Sequence, residues 1–123
     1  MHRWWIRAPS WPCRCVKVPD GDTILVDWKD AIPKMSGPYW IRLARIDAAE
    51  LTSPPTDEFL AARDALRFLI LGQCIVIMPT RSWPDPYRRI IAEVLYCGLN
   101  ISDELLRRGL VKPYTTGRSK PNK

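Results

Sequence analysis

Residues 13–28 read CRCVKVPDGDTILVDW, and their division into two short strands around a turn decides the fold. Cys13–Val18 is short, partly β-branched and bounded by Pro12 and Pro19, which predicts a strand. Asp20-Gly21-Asp22 is a turn signal, and Thr23–Trp28 then alternates, with Ile24, Val26 and Trp28 on one face. Two strands joined so tightly form a hairpin. Working outward, residues 29–38 (KDAIPKMSGP) are a loop, and Tyr39–Ile46 is a third strand. Its alternation sets Arg42 on the side of Trp40, Ala44 and Ile46, where a charge is costly unless paired.

The strongest helix signal follows. Thr56 can cap it, Asp57 and Glu58 suit the positive end of its dipole, and Phe59, Ala62, Leu66 and Leu69 recur at helical spacing before Gly72. Cys74–Met78 is wholly apolar and reads as a buried strand. Residues 79–86, with three prolines, are a loop, and Tyr87–Tyr96 alternates as a fifth strand. Ser102 is expected to cap a last helix that Gly109 stops. Strand, strand, strand, helix, strand, strand, helix predicts an α+β domain, mainly β: a five-stranded OB-type Greek-key barrel with two or three helices. The domain is expected over 13–114, between an N-terminal extension at 1–12 and a basic, polar tail at 115–123.

A chain of 123 residues has room for one domain with one modest core. Hydrophobic residues at 46% and charged ones at 26% exclude a wholly disordered chain. No apolar run approaches the roughly 20 residues of a spanning helix, so no membrane role is expected. No secretory signal is visible, which makes the cytoplasm the default compartment; secretion stays open for a longer natural chain. The net charge of +6 is unevenly spread, with +3 on residues 1–20, +4 on 112–123 and −1 between them. Basic ends on a near-neutral body suit a polyanion, although solubility explains them equally well. Cys13, Cys15, Cys74 and Cys97 lack a Cys-x-x-Cys spacing, so small core thiols are favoured over a zinc site.

Three polar clusters stand at strand ends: Asp20–Thr23, then Arg42 with Asp47–Glu50, then Asp85–Arg89. Singly, they read as a turn, ordinary loop carboxylates and a solvated strand face. Together they supply the parts of phosphodiester hydrolysis. Asp22 and Asp47 offer hard oxygen ligands to a cation such as Ca²⁺. Arg42 and Arg89 match phosphate oxygens from two strands, and Glu50 can orient or deprotonate a water.

On these residues the chain resembles the staphylococcal-nuclease-like, or thermonuclease, family. The matching segments are VPDGDTILVD, IRLARIDAAE, AARDALRFLILGQCIVI, DPYRRIIAEV and NISDELLRRGLVKPY, in family order over roughly 14–114. The resemblance implies an OB-type barrel and one Ca²⁺ ion held by Asp22, Asp47 and the carbonyl of Ala48. It implies that Arg42 and Arg89 bind the scissile phosphate, with Glu50 as general base or water-positioner. Tyr87 matches a tyrosine near the nucleotide, Arg88 adds charge beside it, and Tyr114 or Trp83 is available to stack on a base. The implied substrate is DNA and/or RNA, cut by a monomer with little base preference to leave 3′-phosphate ends.

Two departures stand out: Ala49 replaces a family proline, and Arg88 a glycine before the second arginine. Binding nucleic acid without cutting it is therefore the alternative. A protein-interaction role resting on Trp4, Trp5 and Trp11 is third, since those tryptophans are first read as cover for the barrel.

Overall fold

The computed structural model describes residues 10–27, 38–80 and 89–114. Strand β1 (Trp11–Asp20) turns into β2 (Thr23–Asp27), and β3 (Pro38–Leu43) is followed at once by the short β4 (Ile46–Asp47). Helix α1 (Asp57–Ile70) leads to β5 (Cys74–Pro79) and β6 (Arg89–Tyr96). A tight turn gives β7 (Leu99–Asn100), then helix α2 (Ile101–Arg107) and β8 (Lys112–Pro113). The order β3-β2-β1-β5-β6-β7 closes on itself because β3 also pairs with β6, in parallel. The result is a closed, mixed, five-stranded barrel of the OB type, with two helices among the described residues. The long strand β1 is divided between its two neighbours. Its first half pairs with β5 and its second with β2, and irregularities around Lys17 bend it between them.

The alternating residues fill the barrel as period-2 patterning requires. Cys13, Cys15, Ile24, Val26, Ile41, Leu43, Ile75, Ile77, Ile90 and Val94 are all buried. Helix α1 begins at Thr56, whose hydroxyl accepts from the Phe59 amide at 3.1 Å, and buries Phe59, Ala62, Leu66 and Ile70. Ile70 takes the core place expected of Leu69, which is half-buried. Arg67 ties the helix to the end of β1, its Nε donating to the Val18 carbonyl at 3.0 Å. Among the described residues no helix is long and apolar enough to cross a membrane.

Several expectations are corrected. β1 runs from Trp11 through both prolines, and Trp11 packs against the core. The third strand does not continue to Ile46. The chain reverses at Arg45, whose φ is +71°, so Ala44 and Ile46 turn into the core and Arg42 remains on the outer face. A left-handed arginine is unusual. Here Glu93 accepts from Arg45 Nε at 2.6 Å and Asp103 pairs with Nη2 at 2.8 Å, which anchors the residue across three elements. Asn100, not Ser102, caps α2, accepting from the Asp103 amide at 3.0 Å. Ser102 is buried and donates to the Ala44 carbonyl at 2.8 Å. β5 alternates instead of being buried throughout, which leaves Cys74 exposed; Cys97 is exposed too, so only Cys13 and Cys15 are core thiols. Trp4, Trp5 and Trp28, residues 29–37 and 81–88, and those from 115 onward lie outside the described residues.

Candidate active site

Asp22 is fixed by its own turn. The Asp20 carboxylate accepts from the Asp22 amide at 3.1 Å, and the Thr23 hydroxyl donates to Asp22 Oδ1 at 3.1 Å. The other oxygen, Oδ2, accepts from the Ala48 amide at 2.8 Å, and the Asp22 carbonyl accepts from Leu43 at 2.9 Å. One residue thus joins the β1–β2 turn to β3 and to the segment after β4. Gly21 makes this approach possible through its lack of a side chain, with no left-handed backbone involved. A Cβ there would stand 2.6 Å from Ala62 Cβ and 3.0 Å from Ala48 Cβ.

Arg42 gathers the site. Its Nη1 lies 3.5 Å from Asp22 Oδ2 and its Nη2 lies 3.5 Å from Asp47 Oδ1, with only 15% of the side chain exposed. Nη1 also donates to the carbonyls of Leu43 at 3.0 Å and Ile46 at 2.9 Å. The carbonyl bonds are the short contacts and set the position of the guanidinium; the two carboxylates stand at ion-pair distance around it. The Tyr114 ring centroid is 5.8 Å from Arg42 Cζ. It is carried there by the β4–β8 ribbon, in which Lys112 pairs with Asp47, and by a 2.9 Å bond from the Tyr114 amide to the Arg45 carbonyl.

The remaining candidates surround this centre. In the parallel β3–β6 register Trp40 pairs with Arg89 and Arg42 with Ile91, while Ile41 and Ile90 point inward together. Arg42 and Arg89 therefore share the outer face of adjacent strands, two register positions apart. Asp47, Ala48, Ala49 and Glu50 line one open cleft, closed on its other sides by Thr52, Thr56 and the Gly109–Lys112 segment. Glu50 is exposed at this cleft. Trp83, Tyr87 and Arg88 lie outside the described residues. Sequence reasoning gave no role to Asp20. Burial, and then the neighbouring Asp22 charge, push its carboxyl up to about 6. The signal was there in two carboxylates spaced i, i+2 across a turn, which places them in reach of one another.

A family model described as staphylococcal nuclease homologue matches residues 40–123. The chain belongs to that family. The match takes in Arg42, Asp47, Glu50 and Arg89, and begins after Asp22. Comparison with curated proteins gives no match. Membership in a nuclease family raises the question of a cation. Among the described residues no three His, Cys, Asp or Glu side chains are grouped closely enough to hold one. Two carboxylates and a carbonyl nevertheless suit a hard ion that completes its shell with water. Asp22 and Asp47 meet the same guanidinium, which brings two carboxylates of the kind such an ion takes into one place.

Proposed function

We propose that this nuclease-family chain is a calcium-dependent phosphodiesterase that cuts DNA and/or RNA with little base preference and leaves 3′-phosphate ends. The observation that carries the reading is the convergence of Asp22, from the β1–β2 turn, and Asp47, from β4, on Arg42, on the outer sheet face that Arg89 shares. Asp22, Asp47 and the Ala48 carbonyl hold the cation, which supplies positive charge beside the phosphate.

Arg42 and Arg89 grip the phosphate from two strands and neutralise the charge that builds on its oxygens. Because Arg42 is already tied to two main-chain carbonyls, it needs little reorganisation to do so. Glu50 orients the attacking water and accepts its proton. The water oxygen bonds to phosphorus as the bond to the 5′ oxygen breaks, and that oxygen takes a proton from solvent water while Glu50 returns its own to solvent. Tyr114, and Tyr87 or Trp83 from beyond the described residues, offer stacking to bases, which favours no sequence. Arg88 adds a further phosphate contact. The basic ends raise the rate of encounter with the polyanion.

The test is incubation of the purified chain with single-stranded DNA, duplex DNA and RNA, in calcium and then in chelator. Chelator-sensitive cleavage with 3′-phosphate ends is expected, with severe loss in Glu50→Ser and Arg89→Gly. Cleavage that survives both substitutions overturns the assignment of the site. Binding without cleavage makes the chain a nucleic-acid-binding module, the reading that Ala49 in place of the family proline would favour.

A further inference from the structure

Two of the four cysteines have no part in the core or in the proposed chemistry. Cys74 opens β5, and Cys97 is the first residue of the two-residue turn that joins β6 to β7. The β5–β6 register pairs Val76 with Leu95 and Ile77 with Val94. Cys74 lies two residues before Val76 and Cys97 two residues after Leu95, so both flank the end of this ladder, Cys97 already in the turn. Both are exposed. The two ends are held together independently, because the Tyr96 hydroxyl donates to Gln73 Oε1 at 3.1 Å, joining the neighbours of both cysteines. The same hydroxyl interacts with Cys97 and lies within electrostatic reach of Cys74. A disulfide needs Cα atoms roughly 4.4–6.8 Å apart, a separation that the open end of an antiparallel ladder can bring within reach. Cys97 has φ +51° and Gly98 φ +81°, a tight turn of the primed kind that keeps Cys97 at the strand end instead of in a long loop.

We propose that Cys74 and Cys97 form a cross-strand dithiol that closes to an intramolecular disulfide on exposure to a small-molecule disulfide oxidant. One cysteine sulfur attacks the oxidant, giving a mixed disulfide and releasing one thiol. The second cysteine then attacks the sulfur of the first, forming the intramolecular bond as the bond to the oxidant's sulfur breaks and the other thiol is released. The two cysteines lose two electrons and two protons, which leave with the two reduced thiols of the oxidant. Cys13 and Cys15 do not compete. Both are buried, and burial pushes their thiols up to about 12 and about 11, so little of the reactive thiolate forms. The bond would staple the β6–β7 turn to the start of β5, next to the end of α1.

The test treats the reduced full chain with oxidised glutathione, alkylates the remaining thiols and maps the peptides by mass spectrometry. The expected product is a monomer with one Cys74–Cys97 link and Cys13 and Cys15 alkylated only after denaturation. A thiol reductant reverses it, and the linked form melts no lower than the reduced one. Cys74→Ser and Cys97→Ser should each stop at a glutathione adduct on the surviving cysteine. Separate glutathione adducts on both cysteines of the unsubstituted chain, intermolecular dimers as the main product, or a lower Tm for the linked form overturn the proposal.

Discussion

Replacing Gly21 with alanine tests whether the site depends on a close approach or merely on a turn. The added Cβ would lie 2.6 Å from Ala62 Cβ, 0.8 Å short of the 3.4 Å at which ordinary contact begins. It would also crowd Ala48 Cβ at 3.0 Å. Neither neighbour has a flexible end to move, so helix α1 or the 47–48 segment must shift. Overpacking of this kind costs about 1–3 kcal/mol. Restricting the unfolded chain returns about 0.4–1 kcal/mol, because no left-handed conformation has to be sacrificed here. The net expectation is a destabilisation of roughly 1–2 kcal/mol by urea denaturation. For a chain of this size that corresponds to a Tm lower by about 4–8 °C. Ala62→Gly removes the nearer obstacle, at its own cost of about 1 kcal/mol for glycine in a helix. In the double variant the losses should fall short of additivity by at least about 0.5 kcal/mol. Under the proposed function, since Ala48 donates to Asp22, Gly21→Ala should also weaken calcium binding measured by titration calorimetry. A single variant within about 0.5 kcal/mol of the parent, or strictly additive losses, would refute the close-contact argument.

Two further expectations concern α2. Ser102→Ala leaves the Ala44 carbonyl without its donor in a buried place and should cost about 1–3 kcal/mol, while Asn100→Ala removes the true cap for about 1 kcal/mol; denaturation of both variants checks the order. Hydrogen bonds from Arg107 and Arg108 hold the Glu104 carboxyl at about 2, below its ordinary 4.5. A depressed acid contributes its stability in full above the unfolded value and loses it as pH falls through about 2. Tm measured from pH 5 to 2 should therefore fall less steeply in Glu104→Gln than in the parent, and parallel curves would rule this group out.

What was legible in the sequence was whatever a local pattern decides. The tight turn between the first two strands and the Thr56 cap ahead of two acids needed no distant partner, and both are present, although β1 is longer than read and the helical stripe ends on Ile70 instead of Leu69. Failures occurred where a distant residue decides the outcome. Arg45 ends β3 because Glu93 and Asp103, about 50 residues away, hold it in a conformation that its own type disfavours. Asn100 and Ser102 are both good caps, and the choice fell to Asn100 because Ser102 found a buried carbonyl 58 residues away. At the site, residue type alone suggested Asp22 and Asp47 as oxygen ligands. That both would stand against Arg42, with Gly21 admitting Ala48 to Asp22, depends on barrel closure and has no local signature.

The charges of the site give a reason for coupling the cation to the substrate. Asp22, Asp47 and Glu50, with Asp20 beside Asp22, set four carboxyls against the two positive charges of Arg42 and Arg89, a formal sum of −2. A phosphodiester, itself −1, would be repelled by that set despite the arginines. Arg42 is moreover occupied by its two carboxylates, and a phosphate must compete with both. A divalent ion held by Asp22 and Asp47 would raise that sum by two and would compete with Arg42 for those carboxylates, leaving the guanidinium freer to face the phosphate. Under the proposed function the ion is thus required for productive binding at this centre as well as for cleavage. The basic ends do not substitute for it. Their +3 and +4 act over a distance of about a Debye length and raise encounter with any polyanion, but they do nothing to relieve the repulsion between a phosphate and the carboxylates that surround Arg42.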